Sequence, residues 1–214
     1  MQLIQEYFPN LNLRQTECLM EMRALYTYWN VRINLISRKT AEDFYKQHVL
    51  HALGIAKVIN FLPRARIMDV GTGGGFPGIP LAILFPESQF LLIDSIIKKI
   101  KAVQAITQEL DLNNVQIHCI RAEVVEKKFD FILSRSVTQM PQFYYWIKNK
   151  FRTKSQHALP NGILSLKGGD LSEELKDFPQ AVEFPLINHF KMAFFEDKKV
   201  VYIPANHSMY NKRI

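Results

Sequence analysis

Between Leu13 and Val31 the apolar side chains Leu19, Met22, Leu25, Tyr26 and Trp29 recur at three- and four-residue steps among polar neighbours. That is the stripe of an amphipathic helix. A second helix is expected to begin at Thr40, where Thr40-Ala-Glu-Asp43 reads as a capping box with Asp in place of Glu, and to continue through Phe44, His48 and Leu53. Asn34-Leu-Ile-Ser37 is the polar-flanked connection between the two.

From Arg66 the texture changes. Ile67–Val70, Phe90–Ile93, Val115–Ile120, Phe129–Leu133 and Ile163–Leu166 are short apolar runs that read as buried strands. Between the second and third, Ile96, Ile100, Val103, Ile106 and Leu110 keep a helical spacing and leave Lys98, Lys99, Lys101 and Gln108 outward. Such alternation predicts a parallel sheet with right-handed helical crossovers. Near the end, Phe194-Phe195, a polar Glu196-Asp-Lys-Lys199 and Val200–Ile203 predict an antiparallel hairpin at the sheet edge. The expectation is an α/β fold in two parts: an N-terminal helical extension over 1–60, and over 61–214 a mostly parallel sheet with an antiparallel C-terminal strand pair.

The densest local signal lies after the first strand. Residues 67–80 read IMDVGTGGGFPGIP, with five glycines in eight positions. A glycine-rich turn between strand and helix lets the backbone approach a ligand, and the helix N-terminus behind it offers unpaired N–H groups. Gly71, Gly73 and Gly75 are therefore candidates for holding a nucleotide-type cofactor. Gly73 to Gly78 formally matches the dinucleotide pattern G-x-G-x-x-G, but that match is weak alone. Asp69, two residues before the first glycine, would repel a pyrophosphate and attract a cationic ligand such as the sulfonium and amino groups of S-adenosylmethionine. Asp94, at the end of the second strand, is placed to accept hydrogen bonds from ribose hydroxyls, or to cap the helix that follows. Ala122-Glu123 lies after the third strand, where a loop could border the adenine, with Glu123 equally readable as a solvated loop acid.

Composition narrows the class. Apolar residues make up 48% of the 214, as in a globular protein, and no run reaches the roughly 18 apolar residues of a membrane span. The start MQLIQEYFPN has no signal-peptide pattern, so a cytoplasmic protein is expected. The two cysteines, Cys18 and Cys119, have neither metal-ligand nor Cys-x-x-Cys spacing, so neither a disulfide framework nor a metal site is expected. The formal charge of +7 suggests a polyanionic partner, although the basic residues are scattered in small groups.

Taken together, Asp69-Val-Gly-Thr-Gly-Gly-Gly-Phe-Pro-Gly-Ile-Pro80, Leu92-Ile-Asp-Ser95, Ala122-Glu123, Phe129-Asp-Phe-Ile-Leu-Ser-Arg-Ser136 and Leu166-Lys-Gly168 resemble the RsmG family, also called glucose-inhibited division protein B. Asn34-Leu-Ile-Ser37 and Gln47-His-Val-Leu-His51 resemble its N-terminal signature, so the likeness spans roughly residues 30–205. The resemblance implies a class I, Rossmann-like methyltransferase domain with a helical extension. It implies transfer of a methyl group from S-adenosylmethionine to the N7 of a guanine in 16S ribosomal RNA of bacteria. It places Gly71 and Phe76 in the cofactor pocket, Ala122 and Glu123 near the adenine, and Arg135 at the mouth of the site. The partner it implies is 16S ribosomal RNA or the small ribosomal subunit; no membrane partner and a monomeric chain are separate expectations.

Arg135 closes the fourth strand, and its planar fork suits the cofactor carboxylate or an RNA phosphate. Lys167, at the end of the fifth strand, is expected as a phosphate clamp or as a strand-end lysine in solvent. Guanine N7 carries a free lone pair, so no general base is required, and none is found. Phe76, Phe143, Tyr144 and Tyr145 are candidates to stack on an unstacked guanine, with helix core as the other reading of the last three. His48 is expected to be packed or capping. The family's usual Ser-Arg-Ala is Ser134-Arg135-Ser136 here, and a histidine, His51, stands where the family commonly has an aspartate. Two alternatives stay open at this level: a class I methyltransferase acting on a small molecule or protein, and a non-catalytic RNA-binding protein.

Overall fold

A computed structural model of the protein describes residues 1–205; positions 206–214 of the expected second part lie outside them. The apolar runs form seven strands: β1 Arg66–Val70, β2 Gln89–Asp94, β3 Val115–Cys119, β4 Phe131–Arg135, β5 Gly162–Gly168, β6 Val182–Pro185 and β7 Lys198–Pro204. They make one sheet in the order β3-β2-β1-β4-β5-β7-β6, parallel through β5 and antiparallel at β7. The chain winds outward from β1 to β3, then returns to lay β4 on the other side of β1. This reversal between β1 and β4 is the topological switch point, where the loops leaving both strands diverge and open a crevice.

Side-chain alternation along the strands divides the core between two faces. Ile67, Phe90, Leu92, Phe131, Leu133 and Leu164 point to one face; Met68, Val70, Leu91, Ile93, Ile132 and Ile163 point to the other. The helices in chain order begin with α1 (Gln2–Tyr7) and include the short α3 (Arg38–Ala41) and α4 (His51–Leu53); the first face is covered by α2 (Leu13–Asn30), α5 (Gly78–Leu84) and α6 (Ile97–Glu109), and the second by α7 (Met140–Ile147) and α8 (Ser172–Leu175). Cys18, Leu19, Met22 and Tyr26 of α2 are buried in the same core as β1, so the N-terminal helices close one layer of the sheet.

Four local expectations are corrected. The second helix does not start with a Thr40 cap. Thr40 lies inside a short α3 (Arg38–Ala41), where its hydroxyl donates to the Ser37 carbonyl, and a π-helical turn, Tyr45–Leu50, leads into His51–Leu53. The run at β3 is half-exposed rather than buried, because β3 is the edge strand. Ile96 precedes α6 and is exposed. Phe194 and Phe195 are not a strand but sit in a tight 3-10 turn, Ala193–Phe195. Phe195 is fully buried against Phe190 and Phe194, so the apolar pair fills core volume rather than a ladder. The antiparallel partners of β7 are β5 and β6, and Lys198 and Lys199 belong to β7.

Candidate functional site

The loop leaving β1 answers why glycines crowd there, and the answer has two halves. Gly71 and Gly73 adopt left-handed backbone, with φ of 63° and 58°. At Gly73 an added Cβ would meet nothing nearer than 3.9 Å, and Gly73 faces the open crevice. The next glycines face protein. A Cβ on Gly74 would come 2.9 Å from the Leu35 carbonyl oxygen, and the Tyr26 hydroxyl donates to the Gly74 carbonyl. Gly75, with φ of 87°, packs on Ile79 and Tyr26 and so serves the docking of α2 and α5. Burial pushes the Tyr26 phenol well above its ordinary range, which keeps it a donor.

Asp69 is fully buried beneath this loop rather than in the crevice wall. Its Oδ2 accepts from the Thr72 hydroxyl at 2.6 Å and the Gly78 N–H at 2.9 Å, which ties the loop to the start of α5. Its Oδ1 is buried with no partner. Burial raises this carboxyl to about 7, opposed by the hydrogen bonds from Thr72 and Gly78 and by the charge of Arg135. An unpaired buried oxygen of this kind is costly in isolation and is relieved by a cation or donor brought alongside.

Asp94 ends β2 and links the loop to α6. Its Oδ2 accepts from the Gly73 N–H and its Oδ1 from the Ile96 N–H, both at 2.9 Å, so the carboxylate ties the glycine loop to the approach of α6 and keeps further lone pairs to offer. On one side of Asp94 lies a cavity of about 170 Å³ lined by Gly71, Ser95, Ala122, Glu123 and Trp146 among others. On the other side a cleft of about 580 Å³ runs past Gly73, Phe76, His48, Lys99 and Arg135. Gly71, Asp94 and Val137 line both, so the two spaces adjoin across the glycine loop.

Arg135 leaves the end of β4 and is half-buried. Its guanidinium stands 4.8 Å over the Phe76 ring and 3.4 Å from His48 Nδ1. Burial lowers it to about 10, against the nearby Asp69 and Tyr26, so it remains a cation at neutral pH. Phe76 is itself buried among Tyr26, Phe44 and His48, and forms a floor for the arginine. His48 and His51 both line the cleft, and burial together with Arg135 lowers each to about 3, which leaves them neutral. His51 Nε2 is buried without a partner.

Lys167 is not among the residues that line the cleft. Its ammonium is held 2.6 Å from Glu174 Oε1 and donates to the Thr138 carbonyl at 2.9 Å, while the same Glu174 oxygen accepts from the Met140 N–H. It fastens α7 and α8 to the end of β5. The aromatic expectation also divides. Phe143 and Tyr144 are core of the opposite face and Tyr145 is exposed on α7, outside the cleft, while Trp146 lines the smaller cavity. Sequence reasoning missed Thr40, Val137, Trp146 and Phe194 as cleft or cavity residues, and treated His48 as packing. The Asn34-Leu-Ile-Ser37 and Gln47-His-Val-Leu-His51 signatures pointed toward that wall, since Leu35, Ile36, Ser37, His48 and His51 all line it.

The family model of rRNA small subunit methyltransferase G matches residues 15–202. A protein of that name from Flavobacterium johnsoniae is 57% identical, with 94% of this chain and 96% of the relative covered. Its counterpart from Parabacteroides distasonis is 48% identical over 94% of this chain and 88% of the relative. Among solved structures, a SAM dependent methyltransferase from Aquifex aeolicus shares the fold with a TM-score of 0.57 at 13% identity, covering 78% of this chain and 98% of that one. A precorrin-6y C5,15-methyltransferase from Geobacter metallireducens does so with a TM-score of 0.52 at 10% identity, over 80% and 90%.

Proposed function

The chain belongs to the rRNA small subunit methyltransferase G family, and on that footing we propose that it transfers a methyl group from S-adenosylmethionine to the N7 of a guanine in 16S ribosomal RNA. The observation that carries the reading is the pair of adjoining cavities that share Gly71, Asp94 and Val137 at the switch point. A bipartite ligand fits such a pair: the adenosine half beside Asp94, Ala122, Glu123 and Trp146, the charged methionine half toward the cleft. The cation of Arg135 at the mouth supplies the charge for the ligand's carboxylate, while Asp69 beneath the loop fixes its shape through Thr72 and the Gly78 N–H. S-adenosylmethionine, bound there, supplies a methyl group activated on a positive sulfur.

The chain's own residues then have a positioning task. Guanine N7 needs no deprotonation, so the neutral His48 and His51 are not required as bases. Orientation of two reactants in a closed site accounts for about 7–11 kcal/mol of barrier at best. Of the candidates Arg135 and Lys167, only Arg135 retains a free face toward the cleft, so Arg135 takes the anionic group, cofactor carboxylate or RNA phosphate. Lys99 adds a second cation to the cleft wall. We place the enzyme in the cytoplasm, acting as a monomer on the small ribosomal subunit.

The test is calorimetry with S-adenosylmethionine and with NADH, followed by methyl transfer to small-subunit rRNA and mapping of N7-methylguanine by borohydride and aniline cleavage. Binding of the first ligand alone and a single cleavable guanine are expected. Binding of NADH, or methyl incorporation that gives no cleavable site, would contradict the reading.

A further inference from the structure

We propose that His48 is a positioning residue for Arg135: its Nδ1 accepts from the guanidinium, and its Nε2–H is anchored through the Thr40 hydroxyl to the Ser37 carbonyl. The segment 37–48 would then aim the arginine into the cleft. This rests on the reading of Arg135 as the anion-binding cation of the site.

The proton positions along the chain admit one arrangement. A guanidinium can only donate, so His48 Nδ1, 3.4 Å from Arg135 Nη2, must accept. The ring proton is therefore on Nε2, which lies 2.8 Å from Thr40 Oγ1 and donates to it. The Thr40 hydroxyl has its own proton left to donate to the Ser37 carbonyl at 2.9 Å. Each group has one role, and together they run from the cleft to the backbone of the N-terminal segment. A protonated His48 would lose the acceptor and set two cations together; burial and Arg135 both hold the ring neutral. The ring also stacks obliquely on Phe76, 5.3 Å between centroids, and Phe76 is the floor under the same guanidinium. Two residues earlier than Ser37, the Leu35 carbonyl abuts Gly74, so the segment that orients Arg135 also abuts the glycine loop. An arginine with several rotatable bonds held only over a ring face would sample many orientations, and a fixed acceptor selects one.

The experiment uses the full-length protein, S-adenosylmethionine calorimetry and methyl-transfer kinetics on small ribosomal subunits, with thermal melts as the fold control. His48→Asn keeps an acceptor near the Nδ1 position but loses the bond to Thr40. His48→Gln keeps a donor near Nε2 but loses the acceptor. His48→Gln is expected to lower kcat/KM by about ten- to a hundredfold, the cost of a misplaced catalytic group. His48→Asn should recover most of that loss, Thr40→Val should show a smaller loss, and His48→Gln combined with Arg135→Ala should fall no further than Arg135→Ala alone. Equal losses in the two His48 variants, or additive losses in the double variant, would reduce His48 to packing and overturn the proposal. Normal turnover by folded Arg135→Ala would remove the underlying site reading and the proposal with it.

Discussion

Two cations at the ends of neighbouring parallel strands have opposite fates. Arg135 projects into the cleft over Phe76, whereas Lys167 is spent on Glu174 and the Thr138 carbonyl. Arg135→Ala is expected to leave the melting temperature close to wild type and to cut methyl transfer by about a hundredfold or more, the scale for removing one aimed charge stabiliser. Retained turnover would show that another group holds the anion. Lys167→Met should behave in reverse. It strands Glu174 with little solvent contact, a loss of about 3 kcal/mol for breaking such a pair, read as a lower denaturation midpoint with rRNA affinity unchanged. A weaker, less salt-dependent rRNA affinity in a stable Lys167→Met would restore the phosphate role. Both residues looked alike in the sequence, since each ends a strand at the ligand-bearing edge. What separates them is a glutamate seven positions on, brought back by a turn that no local pattern encodes. Asp69 is a similar case: its charge and strand position were legible, its depth beneath the loop was not.

At the scale of elements, strands β1, β2, β4 and β5 and helices α2 and α6 were readable because each carries a period that burial on one or two faces imposes. The errors fall where tertiary demand overrode that period. Phe194-Phe195 mimics a strand yet fills core, β6 (Val182–Pro185) is too short and exposed to stand out, and the Thr40 hydroxyl serves His48 and Ser37 instead of a helix start. The glycine density reads as a ligand turn, whereas the share of the loop that receives α2 is not legible in it. Tyr26→Phe tests that share. It leaves the ring packing on Phe44 and Phe76 and removes only the donor to the Gly74 carbonyl. The expected cost is about 1–3 kcal/mol for a stranded buried acceptor, with weaker S-adenosylmethionine binding as the loop loosens. If stability falls while cofactor affinity holds, the α2 contact supports the fold but does not set the loop.

For the molecule as a whole, the buried titratable groups around the cleft make stability depend on acid in a definite direction. His48 and His51 stay neutral down to about pH 3, whereas in the unfolded chain they protonate near 6.5. Between those values the unfolded state holds two more protons, so stability falls as pH drops. Asp69 acts oppositely: with its folded value at about 7 against an ordinary 3.8, the folded state holds one extra proton across the same interval. The net is one proton in favour of unfolding, or about 1.4 kcal/mol lost per pH unit between roughly pH 6 and 4. His157 and His189, both lowered by burial, add in the same direction. Guanidinium denaturation across this interval should show the decline, and replacing His48 and His51 together by Asn should remove about two protons' worth per unit, more than the one-proton net of these three groups, so that the decline is abolished or reversed. An unchanged slope in that double variant would mean that both imidazoles already take up protons in the folded protein. In that case His48 could no longer serve as the neutral acceptor of the arginine at the mouth of the cleft.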